Sequence, residues 1–196
     1  MPASEKNTSP FIRVGFSMWS NCGPTDPLLV GGAIVDACKR CGLPTRIDYS
    51  PVRIELKKSE AKWDLLWTHD LQKIASPQFA NFLKDNATTK FEKVPVSQNG
   101  FCLIEPIEVV ALDHAHSHSR GDGQCPACGQ FQDQVAGTTP LFVLDKCVDA
   151  NGIYRTDARL GSGDRKGAII VVGPELKRKI VERGFSGVYF HEVVSM

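Results

Sequence analysis

Ala168-Ile-Ile-Val-Val172, Gly173-Pro174 and Glu175-Leu-Lys-Arg-Lys-Ile-Val-Glu-Arg183, followed by Gly184-Phe-Ser-Gly-Val188, form the part of this chain whose pattern is easiest to read. The five-residue apolar run predicts a strand buried on its faces. Gly173-Pro174 then opens a helix over Glu175–Arg183, because proline fits the first helical position, where no N–H is needed. Leu176 and Ile180 lie four residues apart and share one face of it. Gly184 ends the helix as a residue free to turn left-handed, and Val188–Val194 resumes as a strand. A β-α-β tail of this kind covers one side of a sheet.

Working outward, two matched elements stand far apart in the chain, Cys38-Lys-Arg-Cys41-Gly42 and Cys125-Pro-Ala-Cys128-Gly129. A CxxC turn presents two thiolates from one short loop, and two such turns complete a closed tetrahedral site at about 2.3 Å per zinc–sulfur bond. The glycine behind each pair suits a tight reversal at positive φ. Cys38, Cys41, Cys125 and Cys128 are therefore the expected ligands of a structural zinc ion. Positions 42–124 separate the two pairs, far more than the roughly fifteen to twenty residues inside a compact zinc ribbon. The metal would clip distant parts of one domain together.

Composition limits the function classes. The chain has 196 residues, 42% hydrophobic and 23% charged, which is ordinary for one globular domain. A formal net charge of +1 and a pI near 7.6 lack the basic footprint of a dedicated nucleic-acid binder. No apolar run approaches the about 20 residues of a membrane span, and Met1–Pro10 carries no secretory apolar core. The expected compartment is the cytoplasm. There, seven cysteines favour thiolate ligation over a disulfide framework, and Cys22, Cys102 and Cys147 read as small buried hydrophobes.

The remaining pattern is dominated by strands and loops. Phe11–Trp19 alternates in part and predicts a strand, and Asn21–Pro27 is a loop. Pro51–Lys57 alternates apolar and charged residues as a half-buried strand does. Glu60–Trp67 serves strand or helix equally. Ser76-Pro77 caps a short amphipathic helix with Phe79, Phe82 and Leu83 on one face. Asn86–Gly100 reads as loop or edge strand, and Phe101–Leu112 as a strand that Pro106 interrupts. Asp113–Gln132, with the second CxxCG, reads as a loop, Pro140–Asp145 as a strand, and Thr156–Lys166 as an exposed polar loop. Together these predict an α+β fold: a single mixed or antiparallel sheet with few short helices, stapled by a zinc knuckle built from the two distant CxxCG turns. Met1–Pro10 would be a disordered N-terminus and 11–196 a single zinc-binding domain.

The order of parts, from the first CxxCG through a long middle and the second CxxCG to the Pro-Glu-Leu to Tyr-Phe ending, resembles the double-CXXCG motif immunity proteins of bacteria. The matched positions are Cys38, Cys41, Gly42, Cys125, Cys128, Gly129 and the tail from Ala168 to Phe190. The chain departs from that pattern in its N-terminal extension, Met1 to about Leu29, and in a histidine-bearing insertion before the second knuckle. The resemblance implies a non-enzymatic binder whose partner is a cognate protein toxin.

Other constellations carry weaker chemistry. His114-Ala-His116-Ser-His118 would place three imidazoles on one side of an extended segment near Cys125, as supplementary zinc ligands or as incidental histidines of a solvated loop. Asp113 beside His114, with Asp70, Asp145 and Asp149, makes an acid–base pair only on paper. Gly161–Asp164 lacks the lysine and spacing of a phosphate loop. Trp63 and Trp67 read as core packing or a partner hot spot, and Lys177-Arg-Lys179 with Arg183 as a solvated helix face or a contact for an acidic toxin surface. No catalytic residues are expected. The alternatives to an immunity protein are a zinc-ribbon nucleic-acid-binding or regulatory module and, third, a thiol redox enzyme.

Overall fold

The computed structural model describes residues 12–20, 33–49, 54, 56, 58–68, 71–96, 99–135, 140–144, 148–163 and 165–195. The expected frayed terminus, the Asn21–Pro27 loop, Asp70, Asp145, Cys22 and Cys147 lie outside them, as does most of Pro51–Lys57. Ile54 and Leu56, which are described, belong to no strand.

Among the described residues the architecture is mostly sheet with two ten-residue helices, and it departs from the expected single sheet by dividing into three. The largest is mixed and eight-stranded. It contains β1 (Ile12–Ser20), β8 (Val109–Val110), β9 (Arg120–Asp122), β10 (Asp133–Val135), β11 (Leu141–Phe142), β12 (Ile153–Ser162), β13 (Arg165–Val172) and β14 (Val188–Ser195). Its order is β11-β14-β1-β13-β12-β10-β9, with β8 also paired to β12. A four-stranded antiparallel sheet joins β4 (Leu65–Trp67), β5 (Lys73–Ala75), β7 (Cys102–Pro106) and β6 (Phe91–Pro95), in that order, so of the segment Asn86–Gly100, read as loop or edge strand, Phe91–Pro95 is an edge strand. Among the described residues β2 (Ala33–Ala37) and β3 (Pro44–Asp48) pair only with each other.

The division follows from strands that are apolar on both faces. Ile170 and Val172 of β13 face one core with Met18, Ile153, both helices and the four-stranded sheet, whereas Ile169 and Val171 face a second core with Leu112, Leu141, Val143 and Val193. Successive strand residues point to opposite sides, so the run Ala168–Val172 needs cover on both. The smaller sheet repeats this: Ala75, Cys102 and Ile104 enter the first core, and Ile74 and Leu103 enter a third with Leu66, Val96 and Phe101. Cys102 is buried, as expected.

Both expected helices form where the capping residues place them. In α1 (Pro77–Asn86) the Ser76 hydroxyl accepts from the Phe79 N–H at 3.1 Å, with Phe79, Ala80 and Leu83 buried. α2 (Pro174–Arg183) buries Leu176 and Ile180 and ends at Gly184, whose φ is 72°. The Asp64 carboxylate links the two helices. It accepts from the Ser76 hydroxyl at 2.8 Å and from the Ser186 N–H at 2.8 Å. The tail contains one rearrangement that local pattern does not show. β1 lies between β13 and β14, antiparallel to both, and Met18 pairs with Ile170 on one side and Phe190 on the other.

Thr156–Lys166 is not an exposed loop. It forms most of β12, a turn residue at Gly163, and the start of β13. Thr156, Ala158 and Leu160 are buried, and Asp157 and Arg159 point the other way. A register break between Arg155 and Arg159 leaves the Ile169 N–H without a strand partner, and the Thr156 hydroxyl accepts it at 3.0 Å. Glu60–Trp67 resolves into a turn and then β4. Among the described residues no helix is long and apolar enough to cross a membrane.

Candidate metal centre

Each CxxCG element forms the end of a hairpin. The first joins β2 to β3, and the second joins β9 to β10, so the segment Asp113–Gln132 is not loop throughout. The two turns share one hydrogen-bond plan. The Gly42 N–H donates to the Cys38 carbonyl at 2.8 Å, and the Gly129 N–H to the Cys125 carbonyl at 2.8 Å. The Cys38 N–H donates to Leu43, and the Cys125 N–H to Gln130. Gly42 and Gly129 have φ of 75° and 74°, the left-handed region that a side chain resists.

The two hairpin ends meet. All four sulfurs, Cys38, Cys41, Cys125 and Cys128, lie within 4.8 Å of one another, and among the described residues no histidine belongs to the group. Cys38 Sγ is 3.8 Å from Cys125 Sγ, and Cys41 Sγ is 3.7 Å from Cys128 Sγ. A tetrahedron with corners about 2.3 Å from its centre has edges of about 3.8 Å, so these spacings suit four thiolates around one ion. They are far longer than the about 2.05 Å of a disulfide bond. Beyond the sulfurs, the Gln130 amide nitrogen donates to the Pro44 carbonyl at 3.1 Å and joins the two hairpins.

Electrostatics divides the thiols. The Cys128 and Ala127 N–H groups stabilise the Cys125 thiolate and bring its pKa down to about 6, and the Cys41 and Arg40 N–H groups lower that of Cys38. Cys41 receives help from the Leu43 N–H, yet burial and the sulfurs of Cys125, Cys38 and Cys128 push it up to about 12. Cys128 is likewise raised, despite the Gln130 N–H, by burial and by Cys38 and Cys125. Four thiolates this close repel one another. A divalent cation at their centre removes that repulsion and lets all four ionise.

Other expected residues fall elsewhere. The histidine segment is a compact turn and not an extended strand: the Asp113 carboxylate accepts from the Ala115 and His116 N–H groups, and the Ser117 N–H donates to the Asp113 carbonyl. His116 Nδ1 lies 2.7 Å from Asp113 Oδ2, so the carboxylate partners His116 and not the adjacent His114. Burial opposes ionisation of Asp113, but His116 and the turn N–H groups outweigh it and hold its pKa below the usual range. Asp149 bonds Thr88 and the Asn151 N–H. Trp63 packs against the third core, while Trp67, in β4, holds a buried indole N–H with no hydrogen-bond partner among the described residues. Arg178 is tied to Glu175 and Glu182 on the exposed face of α2.

One feature near the knuckle had no place in the residue pattern. A cleft of about 400 Å³ opens between Pro44–Thr45, Cys128–Phe131 and the strand residues Asp157–Arg159, with His114, Gln134 and Lys166 also lining it. Lys166 is buried and donates to the Phe131 carbonyl. Burial depresses its pKa, opposed by Asp133 and the Cys41 and Cys128 thiolates. The alternation of Thr156–Leu160 was the available signal that Asp157 and Arg159 share a face. No protein-family model matches the chain, and neither the curated proteins nor the solved structures contain a match.

Proposed function

We propose that this chain is a structural zinc protein that acts by binding another protein, with a cognate bacterial toxin as the partner it neutralises. The observation that carries the zinc reading is the meeting of four sulfurs from two hairpins at tetrahedral spacing. Cys38, Cys41, Cys125 and Cys128 would hold the ion, and zinc would supply a redox-inert cross-link without an open coordination position. Tetrahedral all-sulfur ligation favours zinc or iron over harder metals. A zinc ion with four thiolates carries two net negative charges, and the buried Lys166 ammonium beside Cys41 and Cys128 complements them.

A clip is useful here because, among the described residues, β2 and β3 pair only with each other, and four of the five β2 residues are exposed. Two-stranded ribbons are marginal in water. Fastening the ribbon end to the β9–β10 hairpin stiffens it as a recognition surface. The toxin assignment rests on the paired CxxCG and the tail resemblance, and the small net charge agrees with a protein partner better than with nucleic acid.

Two experiments separate the parts of this reading. Metal analysis of chain purified without added metal is expected to find about one zinc per molecule; a metal-free chain with native hairpins defeats the clip. Co-expression with the product of the adjacent gene is expected to rescue growth and yield a complex. A harmless neighbour that forms no complex defeats the immunity assignment and leaves the zinc result standing.

A further inference from the structure

Arg159 projects from the solvent-facing side of β12 into the cleft beside the second knuckle, and it is half-buried. Among the described residues its guanidinium has no hydrogen bond and no ion pair. Asp157, in the same lining, makes no ion pair with it: Asp157 Oδ1 accepts instead from the Leu112 N–H at 2.8 Å and the Ala158 N–H at 2.7 Å. Lys166 adds a second cation in the same lining, with one of its three donors used on the Phe131 carbonyl. Asp133 and the sulfurs of Cys41 and Cys128 act on Lys166 from the side, so Arg159 is the cation of this lining with no hydrogen-bonded or ion-paired partner among the described residues. Removing a guanidinium partly from water without an acceptor is unfavourable, and its planar fork matches the two oxygens of a carboxylate or phosphate.

We infer that this cleft is a binding site for a small oxyanion-bearing molecule, with the carboxylate or phosphate seated on Arg159 and Lys166. The volume of about 400 Å³ falls in the range of small-molecule sites and exceeds what one oxyanion fills. The rest of the ligand lies against Pro44 and Phe131, within reach of the His114 and Gln134 side chains. Because its walls come from β3 and from the Cys128–Phe131 segment, the site is complete only when the two hairpins are held together. It does not depend on the toxin assignment.

The test is titration of the purified, metal-replete chain with inorganic phosphate and with citrate at constant ionic strength, followed by amide and Arg159 Nε–H chemical shifts. Chloride serves as the control anion. Saturable shifts confined to the cleft are expected, with binding weakened about tenfold or more in Arg159→Gln and less in Arg159→Lys, the usual effect of losing a charged hydrogen-bond pair. Arg183→Gln, on exposed α2, should bind as the parent does. The two probes report whether carboxylate or phosphate is preferred. No saturable binding of either probe, or binding that folded Arg159→Gln leaves unchanged, overturns the inference.

Discussion

Replacing Cys38 by serine removes one corner of the sulfur cluster and leaves the three hydrophobic cores intact. None of the three cores contains a residue of the β2–β3 loop, so the effect should be local to the hairpin. Structural zinc sites in small peptides contribute about 10–16 kcal/mol at neutral pH, which spread over four thiolates is about 3 kcal/mol per sulfur, or roughly a hundredfold in zinc affinity. Competition with a chelator should show a loss of that order in Cys38→Ser, and a comparable one in Cys125→Ser, because the two turns share one geometry. Hydrogen exchange gives the structural readout: amides of Ala33–Ala37 and of positions 45–48 should lose protection, while those of β13, buried on both faces, keep theirs. Cys102→Ala, a core substitution, should leave zinc content unchanged. Cys38→Ser with parental zinc affinity and a fully protected hairpin would refute the reasoning, since the ribbon would then be held by something other than the sulfurs.

Three further outcomes follow from single positions. Gly173→Ala should destabilise by about 3 kcal/mol or more in denaturant unfolding, because the added Cβ would sit 2.0 Å from the Asp149 carbonyl oxygen and 2.5 Å from that of Ala150, both backbone atoms. Gly42→Ala meets no atom within 4 Å, so its cost is the left-handed backbone alone, about 1–2 kcal/mol in unfolding titrations, with Gly42→Asn milder. Lys73 is buried, and desolvation brings its pKa from 10.5 to about 8. The unfolded chain therefore binds more protons between those values, and stability should rise as pH increases from about 8 to 10.5. That rise should be smaller in Lys73→Met; an identical pH profile in the two proteins would show that Lys73 titrates normally.

How far the residues alone reach is clearest in the elements they specify locally. Ser76-Pro77 and Pro174–Gly184 mark two helices because caps and proline act within one turn, and both helices lie where those residues put them. The glycines after each CxxC announced positive φ for the same reason. Pairing was less visible. Thr156–Lys166 has few apolar residues and passed for a loop, although its strand is held by neighbours and by the Thr156 hydroxyl filling a register break. The three histidines likewise appeared available near Cys125 until Asp113 folded them into a turn of their own.

By itself the amino-acid order determined the helices, the apolar strands of the tail and the two sulfur-bearing turns with their matching glycines. These depend on interactions spanning a few residues. Only the tertiary structure decided that β1 enters between β13 and β14, that the strands divide into three sheets, and that Arg159 faces the knuckle across a cleft. The physical reason is the alternation of strand side chains: it says which residues share a face, but what covers that face is chosen by residues far away in the chain. The four sulfurs show both sides of this division. Their spacing within each loop is local, and their meeting across 87 positions depends on how the sheets pack.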